Sequence, residues 1–598
     1  MRFSSRAAIA AWLLQLLSAL PTASSLRTWQ PIRELQKQIR EDGPGEPSLA
    51  TRDLPAYPVY NLSVPVDHFH NDSRYAPHVN DTFPLRYWFD ASAYQPGGPV
   101  IVLAAGETNG ANRLPFLQKG IAARLAQATH GLAVVLEHRY YGESVPYGNL
   151  STAALRFLHT DQAMADTAYF ATHVVFPGLE DEDLMPHVGA PWIVYGGSYA
   201  GVFAAFLRVL YPDVFWGAIS SSGVTVAIHD YWQYYEAQRL FGPQECVQRT
   251  QKLLHVADQI LLAGRQALDN EGDGRGDGHG DGDDSHDDIY EEQPVGQVPL
   301  AGALGDTPAD LVAKLKGVFG LRNMTYDDDF ASVLSDALGG WQDTNWDPAE
   351  NNPNFGWYCT NVTADELLYP DVADRRGAVR DLIQATSYGA AFDALELPFL
   401  NFIGWVQATH PCNATERTQD QCFTNRNSTF FRQDDSTQRW RAWTYQYCTQ
   451  WGYLATGSGV PSDQLPLISR LLDLDYLSII CRDAFGIDAP PDVESVNKLG
   501  GYDIRFPRLA IVDGEADPWR AATPHALGVP DRVSSTEEPF LLIPGAVHHW
   551  DEYGLFDNET TADLPPKTVR DVQADEVDFV TQWVADWQGQ NPGDDGGV

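Results

Sequence analysis

Short runs that are apolar throughout recur along the chain, separated by segments whose apolar positions return at helical spacing. Pro99–Ala104 and Leu132–Leu136 are such runs, the pattern of strands covered on both faces. Between them Leu114–Leu125 reads as a crossover helix, and Thr160–Val175 reads as a second helix through Ala163, Ala165, Ala168, Phe170 and Ala171. The apolar run that begins at Trp192, ahead of a glycine turn, predicts a further buried strand, Val202–Leu210 a helix stopped near Pro212, and Phe215–Ile219 another strand. Upstream, Val64–Phe69 and Phe83–Phe89 are β-like. Strands alternating with helices predict a mostly parallel sheet. The rhythm breaks from about residue 228 to 500, where helix-like and irregular segments dominate. It resumes with Leu509–Val512 and Phe540–Ile543. It ends in an amphipathic helix, Val569–Trp587, where Val572, Val577, Val580, Trp583 and Val584 recur near helical spacing. The expected plan is a sheet-and-helix domain over 59–228 and 501–590, interrupted by a helical cap over 229–500.

The densest chemistry sits in Tyr195-Gly196-Gly197-Ser198-Tyr199-Ala200-Gly201. A strand, a tight turn with serine at its apex and then a helix form the nucleophile elbow of the α/β-hydrolases. Neighbouring side chains would clash in so sharp a turn, and Gly196, Gly197, Ala200 and Gly201 are small enough. Ala200 stands where the strict motif has glycine. The elbow lifts the hydroxyl above the positive end of the helix, and the Tyr199 N–H would point at the oxyanion formed when Ser198 attacks a carbonyl. A glycine-rich packing turn is the alternative that the motif alone leaves open.

A hydroxyl needs a base, and the fold supplies acid and base on loops after later strands, in the order Ser, Asp, His. After Leu509–Val512 comes Asp513-Gly514-Glu515-Ala516-Asp517-Pro518-Trp519; after Phe540–Ile543 comes Pro544-Gly545-Ala546-Val547-His548-His549-Trp550-Asp551.

Composition narrows the partners. The formal charge is −40 and the hydrophobic fraction 44%. A full core is affordable, while a polyanionic nucleic acid would be repelled. Residues 1–25 read as a secretory signal: Arg2 and Arg6, an apolar Ala7–Leu20, then small residues at 21–25. No later segment is long and apolar enough to span a membrane. Residues 26–58 read as an arm or propeptide, with Arg33–Arg40 helical. Sequons at Asn61, Asn71, Asn80, Asn149, Asn323, Asn361, Asn413, Asn427 and Asn558 point the same way. Destination is therefore extracellular or an acidic, lysosome- or vacuole-like compartment. The six cysteines all follow the elbow. Spacing favours a Cys412–Cys422 bridge and leaves Cys246, Cys359, Cys448 and Cys481 unassigned. A glycine- and acid-rich run over 269–293 does not match a calcium loop and reads as solvated and disordered.

Together these segments resemble the serine peptidases typified by prolyl carboxypeptidase and dipeptidyl peptidase II. The resemblance rests on Val66-Asp67-His68-Phe69, Glu137-His138-Arg139-Tyr140-Tyr141-Gly142-Glu143-Ser144, Leu155–Leu158 with Asp161–Asp166, Trp443–Tyr453, the Asp513–Trp519 loop and His548-His549-Trp550-Asp551. It spans about residues 60–585. It implies an α/β-hydrolase with a helical cap, no metal, no cofactor, and cleavage of peptides after proline. Carried over, Ser198 is the nucleophile, Asp517 the orienting acid and His549 the base, with His548 in reserve. Asp513 stands where the family has asparagine. The oxyanion donors would be Tyr199 and an N–H of the Gly106-Glu107-Thr108 loop, and Trp519 would wall a proline-sized pocket. Glu107 is a candidate for a substrate ammonium, Arg139 for a terminal carboxylate. A carboxylesterase or lipase, or an inert secreted glycoprotein, are the rival readings.

Overall fold

The computed structural model describes residues 57–273 and 305–591, apart from His187 and Ala414. The expected leader, residues 26–56 of the arm and most of the acidic run lie outside them. The helix Gln244–Asp273 does continue into the first residues of that run, where disorder was expected.

One eight-stranded sheet organises the molecule. In chain order its strands are β1 (Tyr60–Pro65), β2 (Thr82–Asp90), β3 (Val100–Ala104), β4 (Leu132–Leu136), β5 (Trp192–Gly197) and β6 (Gly217–Ser221). A small separate pair, β7 (Ile228–Asp230) and β8 (Gly452–Leu454), stitches the start of the cap to its end. Strands β9 (Leu509–Gly514) and β10 (Phe540–Ile543) complete the large sheet. Its spatial order is β1-β2-β4-β3-β5-β6-β9-β10. β2 runs antiparallel to both its neighbours, β1 and β4, and the remaining pairs are parallel. This is an α/β-hydrolase sheet.

The apolar runs are continuous because both faces are covered. Val100, Val102, Val134 and Val194 face the side that carries the elbow helix and the cap. Ile101, Leu103, Val135, Ile193 and Tyr195 face helices Ile121–Thr129 and Lys567–Gln590.

Three local departures have physical causes. The expected crossover helix Leu114–Leu125 is split into a tight 3-10 segment, Gly110–Leu117, and an α-helix, Ile121–Thr129. Pro115 and the positive φ of Gly120 divide it. β1 stops at Pro65, after which Asp67 turns the chain by accepting from the Phe69 N–H at 2.9 Å. β6 lies two residues beyond the expected strand, because it ends in two buried serines that apolarity does not mark; of these Ser221 Oγ donates to Asp551 at 2.6 Å.

Between β7 and β9 the chain is mainly helical and forms the cap. Disulfides Cys246–Cys359, Cys412–Cys422 and Cys448–Cys481 all lie within it. Among the described residues no helix is long and apolar enough to cross a membrane.

Candidate active site

Ser198 joins β5 to the helix Tyr199–Leu210 with φ 61° and ψ −127°. A serine held at positive φ costs about 1–3 kcal/mol and persists only where its surroundings enforce it. They do: every residue from Ala190 to Arg208 is buried except Ser198. The glycines are steric necessities. A Cβ at Gly196 would stand 1.9 Å from the Ala200 carbonyl oxygen, and one at Gly201 would stand 2.7 Å from that of Ser221. Alanine fits at 200 because Gly106 faces it; a Cβ there would come within 3.3 Å of the Ala200 methyl.

Tyr199 is the first residue of the elbow helix, so its N–H has no intrahelical acceptor. The facing loop, which carries half-buried Glu107, is braced at both ends. Arg113 Nε donates to the Ala105 carbonyl at 3.3 Å, and the Gly110 N–H donates to Glu137 at 2.9 Å. Burial pushes the Glu107 carboxyl above its usual range, and the charges of Arg113 and His549 offset this only in part.

Because β5, β6, β9 and β10 are parallel, the loops after them emerge on the same rim as Ser198. There Asp517 pairs with His548: its two carboxylate oxygens lie 2.9 and 3.1 Å from His548 Nδ1. One of them also accepts the Trp519 N–H at 2.9 Å. His548 Nε2 is buried and has no hydrogen-bond partner among the described residues.

The expected pairing of Asp517 with His549 is therefore corrected. Consecutive side chains diverge, and His549 turns toward the sheet. Its N–H donates to Ser222 Oγ at 2.8 Å, and its Nδ1 lies 2.8 Å from Glu552. A Cβ on Gly197 would be 3.1 Å from its ring. Burial opposes the Glu552 charge, but Arg113 and His549 together hold that carboxyl below its usual range. Asp513 is committed elsewhere, to His525 Nδ1 at 2.7 Å.

Arg139, a candidate for a terminal carboxylate, proves to be scaffold. Arg139 is fully buried. It grips both Asp166 oxygens at 2.6 Å and donates to the carbonyls of Val66 and Phe157 at 2.9 Å. It has nothing left for a substrate carboxylate. His138 is driven down to about 4 by burial and stays neutral, 3.2 Å from the Tyr199 hydroxyl. Trp519 stacks on Tyr231 with ring centres 5.3 Å apart, and its ring is 6.5 Å from that of His548.

Three features escaped sequence reasoning. Glu552 is one. Asp551 is another: it anchors the histidine loop to the sheet by accepting from Tyr195 Oη at 2.5 Å and from Ser221 Oγ. The His-His-Trp-Asp spacing was its available signal. The third is a cap segment over 341–346 that straps the loops carrying Asp517 and His548. Trp341 Nε1 donates to the Ala516 carbonyl at 2.8 Å, and Trp519 Nε1 to Gln342 at 2.8 Å. Trp550 Nε1 donates to the Thr344 carbonyl at 2.9 Å, and Trp346 Nε1 to that of Trp550 at 2.9 Å.

Comparison with known proteins fits this geometry. A family profile described as serine carboxypeptidase S28 matches residues 65–278 and 399–564. A protein of Arthroderma benhamiae named "Probable extracellular serine carboxypeptidase" is 46% identical over 552 residues, covering 92% of this chain and 71% of that one. Serine protease vicPb of Bipolaris victoriae is 26% identical, covering 88% of this chain and 89% of its own. The thymus-specific serine protease of Mus musculus is 25% identical, covering 82% and 81%. With an elbow serine, a parallel sheet and a match of this extent, the chain belongs to the serine carboxypeptidase S28 family of serine peptidases.

Proposed function

We propose that the chain is a secreted serine exopeptidase that cleaves peptide bonds following proline through Ser198, His548 and Asp517. The observation that carries this reading is the Asp517–His548 pair, whose remaining ring nitrogen is unpartnered on the rim that presents Ser198. His548 Nε2 takes the hydroxyl proton as Ser198 attacks, and Asp517 fixes the tautomer and steadies the imidazolium. The Tyr199 N–H and a backbone N–H of the Gly106–Thr108 loop receive the oxyanion. The proton then passes to the leaving amine, and water releases the acyl group.

The aromatic surface of Trp519 beside His548 suits a flat apolar ring such as proline. Enclosure by the cap favours a substrate entered from one end. With Arg139 spent inside the fold, Arg113 is the cation available near Glu107 for a terminal carboxylate, and Glu107 is the carboxylate available for a terminal ammonium. The printed name of the Arthroderma relative supports the carboxypeptidase alternative and an extracellular destination, as does the leader-like residue pattern of positions 1–25.

The test is mass-spectrometric product analysis on peptides carrying proline next to either end, with Ser198→Ala and a fluorophosphonate probe as controls. Release of single carboxyl-terminal residues after proline identifies a carboxypeptidase, and release of Xaa-Pro dipeptides a dipeptidyl peptidase. Turnover undiminished in Ser198→Ala, or preference for simple esters over every peptide, defeats the reading.

A further inference from the structure

Far along the chain from the triad, the turn after β1 gathers three side chains with metal-ligating atoms. Asp67, His70 and His78 each offer one such atom, all within 4.8 Å of one another. Asp67 is buried, whereas His70 and His78 are exposed.

The carboxylate is already oriented. One oxygen accepts the Phe69 N–H at 2.9 Å and the Gln162 amide at 3.1 Å. The other is turned outward, 2.8 Å from His78 Nδ1. Fixing one oxygen from behind is how outer partners aim a ligating carboxylate. The rings of His70 and His78 sit with centres 5.7 Å apart and planes 32° from parallel. The nearby guanidinium of Arg74 is neutralised by Asp72 and Asp161, so it does not compete with a cation.

We propose that Asp67, His70 and His78 form a surface site for a divalent transition metal, with zinc as the best match. Two imidazoles and one carboxylate are a borderline donor set, matched to zinc, cobalt or nickel rather than to calcium or magnesium. Tetrahedral zinc with bonds of about 2.0–2.1 Å separates its ligands by roughly 3.3 Å. The His78–Asp67 pair must therefore open by about half an ångström from its 2.8 Å contact, which the exposed ring permits. The proton shared by His78 and Asp67 leaves as the metal enters, and water fills the open coordination positions. A bound ion would pin the 67–78 turn to the helix Thr160–His173, which supplies Gln162.

The test is zinc binding to the chelator-treated full-length protein, by calorimetry and by thermal melting. It is run with and without enzymatic removal of glycans, since the Asn71 sequon adjoins His70. Cobalt absorption reports the donor set. The wild type is expected to bind zinc and melt higher with it. His70→Ala and His78→Ala are expected to weaken that binding by roughly tenfold or more, to lose the thermal shift and the cobalt signature, and to keep peptidase activity without metal. Zinc affinity and cobalt spectrum unchanged in both variants, or no zinc binding by the wild type in either glycan state, would overturn the proposal.

Discussion

The two adjacent histidines should separate cleanly on mutation. His548→Ala removes the proposed base and strands Asp517, but Asp517 keeps the Trp519 N–H at 2.9 Å. Loss of a triad base lowers turnover by about 10⁶-fold, equivalent to about 8 kcal/mol of transition-state stabilisation. His549→Ala removes no partner of Asp517. It leaves the buried Glu552 carboxylate without its direct partner, with Arg113 3.8 Å away as the nearer counter-charge. Breaking a buried pair of this kind costs about 3 kcal/mol of stability. It also opens space beneath Gly197, against which the His549 ring packs. The expected outcome is a His548 variant that melts near the wild type and is nearly inactive, and a His549 variant that melts clearly lower while retaining much more activity. kcat/KM on a proline-containing peptide, measured well below both melting points, and thermal unfolding are the two readouts. If folded His549→Ala were as inactive as His548→Ala, or if His548→Ala kept substantial turnover, the assignment of the base would fail.

Replacing Asp551 with alanine orphans the buried hydroxyls of Tyr195 and Ser221, a loss of about 2–4 kcal/mol visible as a lower melting temperature. Gly196→Ala should give insoluble or inactive protein, because its methyl would overlap the Ala200 carbonyl; soluble, fully active variant would contradict the elbow geometry. Removing Cys246–Cys359, whose residues are 113 apart in sequence, should cost about 4–5 kcal/mol in a cap-unfolding transition followed by calorimetry. Burial raises the Asp258 carboxyl to about 6. The fold binds that proton more tightly than the unfolded chain does. The resulting stabilisation is complete below about pH 4 and disappears as the pH climbs through about 6, amounting to about 3 kcal/mol. Melts of Asp258→Asn across that window should show a flatter dependence than the wild type.

The sheet was readable because its strands are buried on both faces, so Val100–Ala104 and Leu132–Leu136 announce themselves by unbroken apolarity. β6 was misplaced for the converse reason: Ser220 and Ser221 are buried polar residues, which periodicity assigns to solvent. Ser198 was legible because steric demand writes glycines around it. The choice between His548 and His549 was not, since two adjacent rings differ only in which way the backbone turns each of them. His549 sits at φ 36°, a conformation no residue pattern foretells. The strap over 341–346 was equally invisible, because indole-to-carbonyl bonds across about 170–200 positions leave no local trace.

That strap lies in the interval between the two matched portions of the family profile. Its indoles grip backbone carbonyls at Ala516 and Trp550 and receive the indoles of Trp519 and Trp550. A portion of the polypeptide outside the profile match thus buttresses the loops that carry Asp517 and His548, and an insertion that lifted it would disturb both loops at one stroke.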